Sequence, residues 1–153
     1  MVLQVCGALF LLLCGALAGV LIAVEVAVVP MMAALPGDRW VQVHRLLDPG
    51  FDPLMPNVNK VTLALGVVLA IFVDGAWAQI AFAVAVLSII AVAVVSEKYN
   101  VRMNRDIDEW EVDRLPEGWA ALRAAWARWN RVRTAISLVG FAAAIAAAMA
   151  AWI

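Results

Sequence analysis

Charge is the scarcest property of this sequence. Only 15% of its 153 residues are Asp, Glu, Lys or Arg, against roughly 25% in soluble domains. Four stretches carry no charge and no histidine: Met1–Val24, Val61–Val73, Gly75–Ser96 and Thr134–Ile153. Net charge is −1, which removes any electrostatic case for nucleic acid. Histidine occurs once, at His44, and the two cysteines, Cys6 and Cys14, stand eight apart in one apolar run. On one helix they cannot reach each other, so they carry no information about redox compartment. Pairs of the type CxxC, His-x₃-His and Glu-x-x-His are missing, as are a glycine-rich phosphate loop and a nucleophile elbow. Internal repeats and flexible linkers are missing too. The first apolar run has no positive residue before it, outlasts a signal-peptide core, and places Leu13 rather than a small residue ahead of Cys14. It reads as a retained span.

What fills the chain is apolar. Hydrophobic residues make up 66%, where soluble domains hold roughly 45–50%. With a mean hydropathy of +0.94, a water-soluble monomer is excluded. A helix needs about 20 residues to cross the hydrocarbon. The charge-free stretches therefore predict spans over about 2–29, 58–74, 76–96 and 132–152. The second has 13 uncharged residues, extended by a snorkelling Lys60 and an interfacial Asp74. Asp74-Gly75 is a turn signal that folds the second and third spans into a hairpin. The expectation is an all-α, four-transmembrane-helix bundle forming one integral membrane domain, 1–153. Gly15 and Gly19 predict a close-packing face on the first span.

Orientation follows from the basic residues. The first loop, about 31–60, holds Arg39, Arg45 and Lys60. The third, about 97–133, holds Lys98, Arg102, Arg105, Arg114, Arg123, Arg128, Arg131 and Arg133. The positive-inside bias puts both loops in the cytoplasm and both termini outside, in a bacterial-type plasma membrane. A homo-oligomer is compatible with so apolar a surface.

Asp38 is placed to N-cap a short helix over 39–47 that Pro49-Gly50 would stop. Asp52-Pro53 and Pro56 punctuate the approach to the second span. The third loop reads as two helical extensions joined near Leu115-Pro116-Glu117-Gly118. On a regular helix Glu97, Asn100, Val101, Asn104 and Asp108 share a stripe. Beyond the turn, Trp119, Arg123, Trp126, Asn130 and Arg133 share another, on a helix of about 35 residues.

Each polar candidate has a plain structural alternative. His44 has a pKa suited to a general base, yet a lone histidine is often a structural hydrogen-bonder. Glu25 lies at membrane depth, a functional signal, or else pairs with a loop arginine. The Trp and Arg stripe makes a pocket wall, or an interfacial anchor belt. A metal would draw on His44, Glu25, Asp48 and Asp52.

Taken in order, Asn100-Val101-x-Met103-Asn104, then Trp119 and Arg123, then Trp126-x-x-Trp129-Asn130-x-Val132-Arg133-Thr134 resemble the anthrone oxygenase-like family of small integral membrane proteins. His44 followed by Asp52-Pro53-x-Met55-Pro56 fits the same resemblance. It implies oxidation by O₂ of a polycyclic aromatic, anthrone to anthraquinone, in polyketide pathways, without flavin or haem. Chemistry then assigns the roles. His44 is the base, and Arg123, Asn130 and Arg133 are oxyanion donors. Asn100, Asn104 and Glu25 contact the substrate, and Trp119, Trp126 and Trp129 sandwich its rings. Two other classes stay open: a copper- or iron-dependent membrane oxidase, and a non-enzymatic membrane subunit or lipid-binding module.

Overall fold

Long apolar runs interrupted only by turn residues fold into long helices. The computed structural model describes residues 1–152; Ile153, the last residue of the expected domain, lies outside them. Helix α1 spans Val2–Ala33, α2 Gly37–Phe51, α3 Leu54–Phe72, α4 Ala76–Asp108 and α5 Trp119–Trp152. α1, α3, α4 and α5 are each long and apolar enough to cross a membrane, and the chain is a multi-pass membrane protein. Each runs past the limit set by charge at its loop end. α5 has 34 residues, about 50 Å at 1.5 Å per residue.

The four long helices close into a ring in which α1 packs on α3 and α5, and α4 packs on α3 and α5. The α3–α4 turn is three residues long, and Gly75 supplies a backbone with φ +96° that other residues rarely adopt. Gly118, with φ +87°, plays the same part at the start of α5. Facing positions show that α5 runs antiparallel to both α1 and α4. Gly15 meets Phe141, and Thr134 bonds the Leu21 carbonyl; Gly140 meets Ser88, and Asn100 meets Trp126. The bundle is therefore up-down-up-down.

Two apolar cores divide its length. The larger, near the termini, is built from Phe10, Leu69, Phe82, Ala85 and Ala144, with Phe10 edge-on to Phe82 at 5.7 Å. The other, at the loop end, joins Val24, Met32, Trp40, Val41, Ile107 and Trp126. The buried polar side chains are Thr62, Ser88, Thr134, Asn130, Asn100 and His44. Outward-facing Leu12, Phe72, Leu87 and Val139 are exposed, as lipid-facing residues must be.

Local details depart from expectation in four places. α2 begins at Gly37 with Pro36 as its cap, so Asp38 sits inside the first turn instead of capping it. There its carboxylate still favours the helix dipole. α2 also continues through Pro49 to Phe51. The proline removes one N–H near the helix end, where the Asp52 N–H still reaches the Asp48 carbonyl. Gly19 meets nothing within 4 Å, whereas Gly15 admits the Phe141 ring. The tightest inter-helix approaches in mid-bundle are at Gly66 and Gly140 instead. Finally, the stripe expected over 97–108 is broken. Ser96–Val101 forms a wide π turn, which shifts the register, leaving Glu97 exposed and paired with Arg105 at 3.5 Å. A similar π turn, Val24–Val28, precedes Pro30, whose ring would clash with a regular helical carbonyl four residues back.

A Cβ at Gly66 would stand 2.6 Å from a Phe10 ring carbon and 2.8 Å from a Val86 methyl. Gly66→Val is expected to cost about 1–3 kcal/mol by overpacking, whereas Gly19→Val should leave stability nearly unchanged. Thermal unfolding of both variants in the same detergent checks the contrast.

Candidate functional site

α2 presents an aromatic, an imidazole and a carboxylate one helical turn apart: Trp40, His44 and Asp48. The His44 ring is 3% exposed and lies between two indoles, Trp40 at 5.6 Å and Trp126 edge-on at 5.7 Å between ring centroids. Its Nδ1 has no hydrogen-bond partner. Asp48 is fixed by the side-chain amide of Asn104, which donates to Oδ1. Asn104 in turn accepts from Trp126 Nε1 at 3.0 Å. Asn100 donates to the Trp126 carbonyl at 3.2 Å, and its own Oδ1 is left without a partner.

One turn further along α5 a second polar group begins. Asn130, fully buried, donates through Nδ2 to Glu25 Oε2 at 2.8 Å. Its Oδ1 accepts two bonds from Arg133, from Nε at 3.1 Å and Nη2 at 2.9 Å. The other Glu25 oxygen takes the Arg131 guanidinium at 2.9 Å. The two groups adjoin along α5, where Trp126 belongs to the first and Asn130, one turn on, to the second. Both wide turns feed this junction, one carrying Glu25 and the other Asn100. π bulges occur frequently at functional sites, and here they aim polar side chains inward.

Burial dominates the electrostatics. It lowers the His44 pKa below the ordinary histidine value, opposed by the Asp48 and Asp108 carboxylates and the Asn104 amide. It raises the Asp48 pKa, with the neighbouring imidazole pulling the other way. The arrangement holds a neutral imidazole with a free nitrogen lone pair or N–H, beside a carboxylate and near a guanidinium. Chemically, that is a site able to accept a proton and to stabilise a nearby anion.

The structure thus brings together His44, Glu25, Asn100, Asn104, Trp126, Asn130 and Arg133. It places four other candidates elsewhere: Arg123, Trp119, Trp129 and Asp52. Arg123 donates to the Leu35 carbonyl at 2.9 Å and lies over the Trp119 ring at 4.8 Å, two turns towards the start of α5. Trp129 stacks flat on Tyr99, 3.5 Å apart and 6° from parallel. Asp52 is exposed beyond the end of α2. Among the described residues, no three His, Cys, Asp or Glu side chains form a group that could hold a metal ion.

Several participants escaped the sequence. Trp40 went unremarked, although its i, i+4 spacing to His44 was a usable signal. Sequence alone offers Asp48 only as a metal ligand, although it stands at the same spacing. Arg45 carried no signal at all. Its Nη2 reaches the carbonyls of Ile107, Asp108 and Trp110, so it closes the end of α4. That clamp holds α2 against the helix bearing Asn100 and Asn104.

With the geometry established, the anthrone oxygenase family profile matches residues 53–143, more than half of the chain. The chain belongs to the anthrone oxygenase family. No curated protein and no solved structure matches it. The matched segment contains Asn100, Asn104, Trp126, Asn130 and Arg133, whereas Glu25, His44 and Asp48 precede it.

A single histidine makes its titration directly observable. By nitrogen-resolved NMR, His44 should titrate below 6.5, and Asp48→Asn should move it lower still by removing an opposing charge. The folded protein loses this proton where the unfolded chain would keep it. Stability should therefore fall as pH drops from the ordinary histidine value towards the folded one. A midpoint above 6.5 would contradict this description.

Proposed function

We propose that this member of the anthrone oxygenase family oxidises a hydrophobic polycyclic aromatic with O₂, taking an anthrone-like C–H compound to a quinone. The observation that carries this reading is the buried, uncharged His44 between two indoles, with the Asp48 carboxylate one turn away. A doubly benzylic C–H beside a ring ketone is acidic because its carbanion is an extended phenolate. His44 takes that proton, and Arg133, held in place by Asn130, faces the developing oxyanion.

The electron-rich carbanion passes one electron to O₂, and the radical pair combines to a peroxide anion. The imidazolium returns its proton to give the hydroperoxide. Loss of the second C–H proton then breaks the O–O bond, forming the carbonyl and releasing water. One O₂ is consumed, one oxygen atom ends in the quinone and the other in water. The reading uses no flavin, haem or metal. Trp40 and Trp126 supply apolar ring faces, and a membrane setting suits a substrate of this kind.

His44→Gln keeps much of the size but removes the basicity. Oxygen uptake with anthrone should fall by roughly 10²–10⁴-fold, while circular dichroism and detergent stability remain those of the parent. Unchanged turnover in folded protein would remove His44 as the base.

In this reading both polar loops face the cytoplasm, where the basic residues concentrate. A cysteine introduced at Gly75 should then react with an impermeant reagent added outside intact cells, and one at Gly50 should not. The reverse pattern would invert the topology while leaving the bundle intact.

A further inference from the structure

Among α1, α2 and α5, with Trp40 and Trp126 in its lining, lies a cavity of about 250 Å³. Most of its lining is apolar: Val29, Met32 and Ala33 from α1, and Ala120, Ala124 and Ala127 from α5. The three alanines recur at i, i+4 and i+7, so one wall has no side chain beyond Cβ and is flat. The volume falls just below the roughly 300–1,000 Å³ of most small-molecule sites, which suits a thin, compact ligand.

Two polar groups break this lining. Arg123 lies on it and, among the described residues, forms no ion pair with any carboxylate. Its guanidinium spends one nitrogen on the Leu35 carbonyl and is oriented by the Trp119 ring, leaving further donors of the planar fork unspent. Trp40 also lines the cavity. It is fully buried, and its indole N–H has no partner. A half-buried cation without a counter-charge, beside an orphaned donor and a flat apolar wall, is an incomplete arrangement. A planar anion would complete it.

We infer that this cavity is a binding site for a flat aromatic acid or phenolate, its rings against the alanine face of α5 and its acidic group on Arg123. The inference rests on the oxidase reading and deepens it. It makes the favoured substrate class polycyclic aromatics bearing one ionised substituent, held against Trp40 and Trp126, the two indoles that flank His44. Arg123 is then a recognition residue.

Anthracene-2-carboxylate, a fluorescent planar anion, tests this against its neutral counterpart anthracene-2-methanol, with protein in nanodiscs and empty nanodiscs subtracted. The parent should bind the carboxylate at least 10-fold more tightly than the alcohol. Arg123→Gln should abolish that preference while leaving alcohol binding within 2-fold, and Arg123→Lys should restore only part of it. Ala124→Leu, which fills the slot without touching a charge, should weaken both probes at least 10-fold and serves if Arg123→Gln fails to fold. Equal binding of acid and alcohol by the parent would overturn the inference, as would an unaltered preference in Arg123→Gln or undiminished binding in Ala124→Leu. His44→Gln separates the two claims. Retained carboxylate binding with oxygen uptake lost supports both. Retained binding, with uptake unchanged from the parent, sinks the base but keeps the site.

Discussion

The structure hangs on a rule of low-dielectric surroundings: an ionised or amide side chain at membrane depth must find its partners inside the protein. Glu25 is the sharpest case. It is carried on α1, and both its oxygens are engaged by α5, one by Asn130 and one by Arg131. The Asn130 carbonyl oxygen in turn accepts from two Arg133 nitrogens. Glu25, Asn130 and Arg131 fix the rotation of α1 against α5, and Asn130 sets the height at which Arg133 stands. Everything at the loop end, including the placement of α2 over Trp126, is arranged around that junction.

A second constraint comes from α2, a short helix too polar to enter the hydrocarbon. Its inner face holds Trp40, Val41 and His44, all buried, and its outer face carries Arg39 and Leu46 in the open. Arg45 ties it to the last carbonyls of α4, and the Asn104–Asp48 bond ties it again one turn later. Both ties come from α4 just beyond its wide turn. Had Ser96–Val101 been a regular helix, the register of Asn100 and Asn104 relative to α2 would differ by most of a residue. The functional reading therefore depends on a backbone irregularity as much as on side-chain identity.

That dependence explains what was legible beforehand. The spans, the hairpin at Gly75 and the long final helix were written in charge gaps and turn residues, since lipid imposes them on any chain. Asn100, Asn104, Trp126 and Asn130 could be grouped because they share helix faces. Glu97 was misplaced because periodicity assumes 3.6 residues per turn, and the wide turn violates it. Gly19 was misplaced because a small residue on an apolar helix looks the same whether it faces lipid or a neighbour. Arg123 shares the face of Asn130 but lies seven residues, nearly two turns, before it, where it takes the Leu35 carbonyl. Arg45 needed the tertiary structure, because the carbonyls it bonds lie 62 and 63 residues away in sequence.

The central claim is that His44 removes a carbon-bound proton from an anthrone-like substrate. Proton removal can be separated from oxygen chemistry by working without oxygen. Under anaerobic conditions, with anthrone deuterated at its doubly benzylic carbon, the protein should speed loss of deuterium to water well above the buffer rate. The enhancement should vanish in His44→Gln. Equal exchange in the two proteins, with the variant folded, would contradict the account.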